Sequence, residues 1–298
     1  MRNRLNIVVL GSLLASLILV TVAAASGPVH WSYEGEAGPE HWGELSHDFA
    51  ACSEGKEQSP IDVPGTATVN PADLTFNYQP TAVNILNNGH TIQVNYDVGS
   101  SLEVDGTTYN LLQLHFHATS EHTVGGKYSD MEMHLVHQSA DGGYAVVGVM
   151  INRGAENAAF APVWNNLPAE EAEAQTVGGA SVNASDLLPA DPTYFRYNGS
   201  FTTPPCTEGV KWFLMSNPVE LSDAQIASFE QIYDGNFRPV QPFNDRSFLV
   251  TSEVAAAPTA LPTTGTNRTD QLSLVLILAG IAALGVGLVG YTTRRQSA

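Results

Sequence analysis

The chain has 298 residues, 43% of them hydrophobic, with a formal net charge of −18 at pH 7, which allows one large folded domain or two small ones. Residues 26 to 264 carry 7 Lys and Arg against 29 Asp and Glu, a surface that repels nucleic acid and anionic lipid and excludes nucleic acid as a partner. The acidic excess fits adaptation to high salt, where self-repulsion is screened, and fits equally a plain acidic exported protein.

Residues 1–25 contain Arg2, Arg4, an apolar run from Ile7 to Val22 and then Ala23-Ala24-Ala25, which predicts a secretory signal cleaved near Ser26. Residues 28–64 are rich in Trp, Gly, Pro and His without periodicity and read as an irregular N-terminal wrap. From about residue 73 the pattern is short strands: Leu74–Tyr78, Ala82–Asn87, Thr91–Tyr96, Ser101–Val104, Tyr109–His117, Met131–Gln138, Tyr144–Ile151 and Gly209–Ser216. Turn signals such as Asn87-Asn88-Gly89 and Asp141-Gly142-Gly143 separate them. Helical signals are confined to Ala158–Asn166 and Ser222–Asp234, the latter opening on a Ser222 cap. The expected fold is mainly β (α+β), a single domain over 26–253 with peripheral short helices.

Within this pattern, Gln113, His115 and His117 alternate onto one strand face, with Leu112, Leu114 and Phe116 on the other. Glu132-Met133-His134-Leu135-Val136 alternates too, and an antiparallel neighbour brings His134 beside the pair. Three neutral imidazoles with an open fourth position suit a catalytic Zn2+. Gln113 and Glu132 each precede a ligand by two residues on the same face, where they can accept its second ring N–H. Cys52 and Cys206 are the chain's two cysteines, and in an exported domain they predict one disulfide. Such a bond pins the Thr202-Thr203-Pro204-Pro205 loop to the N-terminal segment.

Residues 254–271, rich in Ala, Pro and Thr, read as a stalk. Residues 272–291 are an uncharged apolar stretch long enough to span a bilayer as a transmembrane segment, and 292–298 a basic tail with Arg294-Arg295. The globular part is then expected outside the cytoplasm.

The chain resembles the α-class carbonic anhydrases over roughly residues 30–250. The motifs are Gly38-Pro39-Glu40-His41-Trp42, Gln58-Ser59-Pro60-Ile61-Asp62, Asn87-Asn88-Gly89-His90, Gln113 through His117, Ser120-Glu121-His122, Glu132 through His137, Thr202-Thr203-Pro204-Pro205 and Arg238-Pro239. The resemblance implies a large, mostly antiparallel twisted β-sheet and reversible hydration of CO2 to bicarbonate and a proton. It makes His115, His117 and His134 the zinc ligands and a zinc-bound hydroxide the nucleophile. It makes Thr202, bonded to Glu121, the group that orients that nucleophile, and His90 the proton shuttle. Gln113, Glu132 and the Asn244 backbone carbonyl become the partners of the three ligands. Tyr33, Asn88, Gln93 and Thr203 line the proton path, and Val136, Val146, Phe201, Val210 and Trp212 form the apolar wall that receives CO2. Phe201 stands where leucine is common in the family. His30, His41, His47, His122 and His137 are expected to be surface or packed histidines without chemistry.

The tight Ala118-Thr119-Ser120 link is similar to the shorter bacterial members, and Leu261-Pro262-Thr263-Thr264-Gly265 matches the sortase signal LPxTG. Together with the apolar span it implies display at the cell surface, anchored to the cell wall by sortase or tethered in the membrane. Two other classes compete: a binding or adhesion protein on an inactive scaffold of this type, and a zinc esterase using the same hydroxide. The first class typically loses a zinc-binding His, and all three are present.

Overall fold

The computed structural model describes residues 29–249 apart from 68, 71 and 72. The signal, the stalk, the LPTTG motif, the apolar span and the basic tail lie outside the described residues.

Fourteen strands are described: β1 (Asp62–Val63), β2 (Thr75–Asn77), β3 (Thr81–Asn87), β4 (Ile92–Asn95), β5 (Ser101–Val104), β6 (Thr107–His117), β7 (Thr123–Val124), β8 (Lys127–Tyr128), β9 (Met131–Ser139), β10 (Tyr144–Arg153), β11 (Ala172–Val182), β12 (Tyr194–Ser200), β13 (Glu208–Met215) and β14 (Val219–Leu221). Eleven of them form one twisted sheet with the path β11-β3-β4-β6-β9-β10-β13-β12, while β1, β7 and β8 form a small sheet of their own. Pairing in the large sheet is antiparallel except where β13 and β14 run parallel to β10. All eight strands expected from the sequence are present. β11 and β12, which close the two ends of the path, were not anticipated. β11 is exposed along most of its length, so it lacks the apolar alternation that announces a strand.

One face of the sheet carries the main core. Leu114 and Phe116 of β6, Met133 and Leu135 of β9, and Val147 and Val149 of β10 pack there with Phe160, Trp164 and Phe229. Burying a side chain such as Phe116 contributes roughly 1.5–3 kcal/mol. The helix Asp223–Glu230 lies over this face, and its start is a capping box in which Ser222 and Gln225 satisfy each other's backbone N–H groups. The opposite face gathers Val136, Val146, Val210, Trp212 and Leu214 into a second, smaller cluster. The strands between these clusters are buried on both sides, which explains the near-continuous apolar run of β10, while in β9 the polar Glu132 and His134 are buried as well.

The turn Gly125-Gly126, with φ of 59° and 74°, joins β7 to β8. It makes a small hairpin inside the excursion between β6 and β9 rather than the connection between them.

Candidate metal centre

The site begins with a fault in β6. Pairing with β9 runs Leu111↔His137 and then Gln113↔Val136, so Leu112 is an unpaired bulge. The bulge inverts the alternation: Tyr109 and Leu111 share the core with Leu114 and Phe116, while Leu112 is left exposed. Leu112 therefore does not share the Leu114 face as the uninterrupted period predicted. The same shift sets Gln113 and His115 on the cavity side, where His115 is the direct cross-strand partner of His134. His117 follows one pleat further along.

One nitrogen from each of the three imidazoles lies within 4.8 Å of the others. The remaining ring nitrogens are spoken for. His115 Nδ1 donates to Gln113 Oε1 at 2.8 Å, His117 Nδ1 to the backbone carbonyl of Asn236 at 2.7 Å, and His134 Nε2 to Glu132 Oε1 at 2.8 Å. Each N–H being committed outward, the facing atoms carry lone pairs. His115 Nε2 and His134 Nδ1 stand 3.3 Å apart and cannot bond to each other in these tautomers. His117 Nε2 is buried with no hydrogen-bond partner. Burial holds the His115 imidazole well below its usual pKa, lowers His134, and pushes His117 down to about 4. Three neutral donors converging on one point, one of them otherwise orphaned, fit a divalent cation such as zinc.

A ring of fixed groups surrounds the ligands. Glu132 Oε1 also receives His122 Nδ1–H at 2.7 Å, and Oε2 accepts the backbone N–H groups of Glu121 and His122. Burial would raise the Glu132 carboxyl, but His122 and His134 hold it well below the usual range. His122, Glu132 and His134 also sit close enough to suggest a metal cluster, yet both histidines spend an N–H on the carboxylate, so the trio is a hydrogen-bond network. Gly148, opposite His134 on β10, makes room for it: a Cβ there would stand 3.0 Å from Glu132 Oε1 and 2.8 Å from Leu214 Cδ1. Glu121 is fully buried, and its Oε1 accepts the Arg238 backbone N–H at 2.8 Å. Its Oε2 lacks a well-formed hydrogen bond, although the Thr202 hydroxyl is near enough to favour the ionised form. Burial pushes the Glu121 carboxyl up to about 7.

Two hollows meet at His115, Gln113 and Thr203. The polar one, about 120 Å³, is lined by Tyr33, Asn88, His90, Gln93 and His117 among others; the other, about 230 Å³, is walled by Val136, Val146, Phe201, Thr202 and Trp212. A cleft in which three converging imidazoles lie between one apolar wall and one polar wall can hold an uncharged gas on one side and waters on the other.

Residues 37–252 match the model of the eukaryotic-type carbonic anhydrases. The chain belongs to the carbonic anhydrase family. A carbonic anhydrase from Nostoc sp. is 46% identical over 247 residues, covering 81% of this chain and 93% of that protein. One from Klebsiella pneumoniae is 45% identical, covering 78% and 93%. Among solved structures, the α-carbonic anhydrase of Thermovibrio ammonificans in complex with the inhibitor sulfanilamide is 42% identical with a TM-score of 0.72, covering 74% of this chain and 99% of that one.

In this carbonic anhydrase His90 stacks on Trp31, with ring centroids 3.6 Å apart and planes 8° from parallel. Its turn is shaped by Asn88 Oδ1, which accepts the N–H groups of His90 and Thr91. Val210 packs in the apolar cluster behind the wall. Phe201 meets Tyr144 edge-on at 4.8 Å. Cys52 and Cys206 are disulfide-bonded. One expected partner is wrong: Asn244 is exposed at a turn with φ of 53°, and its side chain donates to the Lys56 carbonyl. Its place beside His117 belongs to Asn236, eight positions earlier, because the partner is a backbone carbonyl and carries no side-chain signature. Asn236 does more than present that carbonyl. Its Oδ1 accepts Ala118 N–H, and its Nδ2 donates to the carbonyls of His90 and Phe116. Arg238 and His122 were likewise not assigned roles in the sequence, although both lie in the motifs Arg238-Pro239 and Ser120-Glu121-His122. His137 is packed in the core, its Nε2 accepting the Tyr78 hydroxyl at 2.7 Å.

Among the described residues no helix is long and apolar enough to cross a membrane. The predicted span at 272–291 falls outside them.

Proposed function

We propose that this carbonic anhydrase converts CO2 reversibly to bicarbonate and a proton with a zinc ion held by His115, His117 and His134. The observation that carries this reading is the outward commitment of all three ring N–H groups, which leaves three lone pairs facing one another beside a partly apolar cleft. Bound zinc would supply the Lewis acidity that makes water nucleophilic near neutral pH. Thr202 donates to Glu121 and uses its oxygen lone pairs to orient the attacking oxygen toward CO2. Arg238 N–H keeps Glu121 in place as an acceptor. CO2, which offers little to hydrogen-bond, rests against Val136, Val146, Phe201 and Trp212, with Val210 packed behind. The proton leaves along the polar wall past Thr203, Gln93, Asn88 and Tyr33 to His90, an imidazole that can exchange it with buffer.

Stopped-flow CO2 hydration, before and after chelation and zinc readdition, tests the reaction; an ester assay run beside it measures the side activity. Hydration that survives complete zinc removal rejects the metal's role. A zinc-loaded protein that cleaves esters but leaves CO2 untouched makes it an esterase, and one inert to both makes it a binding protein.

We further propose that the enzyme is displayed outside the cell. The support is the order of signals: Arg2 and Arg4 before an apolar run at the start, then LPTTG, an apolar span and Arg294-Arg295 at the end. Sortase would cut between Thr264 and Gly265 and join Thr264 to a cell-wall amine. Mass analysis of the surface protein decides: an isopeptide-linked Thr264 supports it, and a mature chain still holding 272–291 shows a membrane tether instead.

A further inference from the structure

A row of amides runs across the sheet from the polar wall to its edge. Gln93 Nε2 donates to Asn95 Oδ1 at 2.7 Å, Asn95 Nδ2 to Asn84 Oδ1 at 2.8 Å, and Asn84 Nδ2 to Thr176 Oγ1 at 2.9 Å. The row crosses β4, β3 and β11, following the register Asn95↔Asn84 and Asn84↔Thr176. Asparagine is disfavoured in strands, so two paired asparagines here sacrifice intrinsic preference for something the amides do. At the inner end, Gln93 is the cross-strand partner of His115, and Asn95 of Gln113.

A terminal amide can turn over and exchange its acceptor for its donor, and only its neighbours decide which faces a cavity. Gln113 is committed one way: Oε1 takes the His115 N–H, leaving its NH2 free. Gln93 is committed the other way, with Nε2 on Asn95, which leaves Oε1 for the cleft it lines. In this orientation the cleft presents an acceptor, Gln93 Oε1, near a donor, the Gln113 NH2. A proton moving through waters needs each water to donate toward the next acceptor. A water that has just taken up the proton has three O–H donors and almost no accepting power, so an acceptor on the wall holds one of them and leaves another for the next step, whereas a donor there has no lone pair to meet.

We propose that Asn95 is a positioning residue for proton transfer, holding the Gln93 amide, with Asn84 and Thr176 behind it, so that Gln93 Oε1 faces the cleft as a fixed acceptor. The proposal rests on the carbonic anhydrase reading above. It predicts that the chemistry at the metal and the delivery of the proton respond differently when Asn95 is changed.

The test compares zinc-loaded wild type with Asn95→Leu and Asn95→Asp in CO2 hydration at low and high buffer. Asn95 is half-buried on the same face of β4 as Gln93, and Asn95→Val serves if leucine disturbs the strand. Asn95→Leu releases Gln93, and kcat in dilute buffer falls roughly three- to tenfold, the scale of one net hydrogen bond in a barrier. Its kcat/KM stays within about twofold of wild type, and imidazole restores kcat. Asn95→Asp keeps the rate, because its oxygens accept from Gln93 Nε2 while Asn84 turns its NH2 to the new carboxylate and accepts the Thr176 hydroxyl. Wild-type kcat in both apolar variants overturns the proposal. So does an equal loss of kcat and kcat/KM in them, or an Asp variant as slow as Leu. These outcomes leave CO2 hydration itself standing, whereas zinc-loaded wild type without hydration removes the underlying reading and this proposal together.

Discussion

His122 and His134 donate to the same oxygen of Glu132, at 2.7 and 2.8 Å. One is a ligand in the proposed site and the other is not, so the carboxylate is a hinge pin between metal and scaffold. His122 Nε2 in turn accepts the Tyr197 hydroxyl at 2.6 Å, and Tyr197 meets Ser59 Oγ at 2.9 Å. A chain of buried bonds therefore runs from the N-terminal wrap to His134. Replacing His122 with Phe leaves Glu132 short of a donor and the Tyr197 hydroxyl without its acceptor. Zinc affinity is expected to fall about 10- to 100-fold, read by competition with a chelator. Unchanged affinity would mean that Glu132 holds His134 unaided.

His90→Ala is expected to lower kcat in dilute buffer while kcat/KM stays near wild type, with added imidazole restoring the rate. Burial beside Trp31 lowers the His90 pKa; His30 lowers it further and Glu171 opposes. As a proton acceptor His90 works when neutral, so the His90-dependent part of kcat should rise with pH through a midpoint below about 6.5. A buffer-insensitive variant as fast as wild type would assign the proton to another route.

The disulfide joins two parts of the site. The Cys52 carbonyl accepts Arg238 Nη2–H at 2.7 Å, and Cys206 N–H donates to the Thr203 carbonyl at 2.9 Å. Cys52→Ser should cost at most about 5 kcal/mol through loop entropy and slow catalysis by loosening Thr202 and Glu121 together. Denaturant titration and steady-state rates measure the two effects. A variant equally stable and equally fast contradicts the coupling, and two free thiols in unreduced peptide maps of the natural protein contradict the bond.

His137 supplies a pH dependence that needs no metal. Burial pushes its imidazole down to about 4, and Tyr78 bonds the neutral form. The folded pKa is depressed below the unfolded value of about 6.5, so this stabilisation is complete above that pH and is lost as pH falls toward 4. The unfolded chain binds the extra proton, and stability should drop by about 3 kcal/mol across the window from this group alone. His137→Gln should flatten that slope, and an equal slope in both proteins would remove His137 as its cause.

The sequence by itself determined the strands whose residues alternate or run apolar, the three imidazoles, and the two partners that sit two residues before a ligand. These follow from a period of two along one strand, which a linear reading captures. It also placed the motifs whose residues line the cleft. Tertiary structure alone decided the rest. The bulge at Leu112 inverts the faces of β6, and nothing in its own side chain announces that. Asn236 lies 119 positions from His117 and acts there through a carbonyl, a group every residue owns. Gly148 matters only because Glu132 packs across from it, and exposed β11 is a strand only because β3 offers it hydrogen bonds. Local period is written in neighbouring residues, but cross-strand register, backbone partners and the space a carboxylate occupies exist only once distant segments have met.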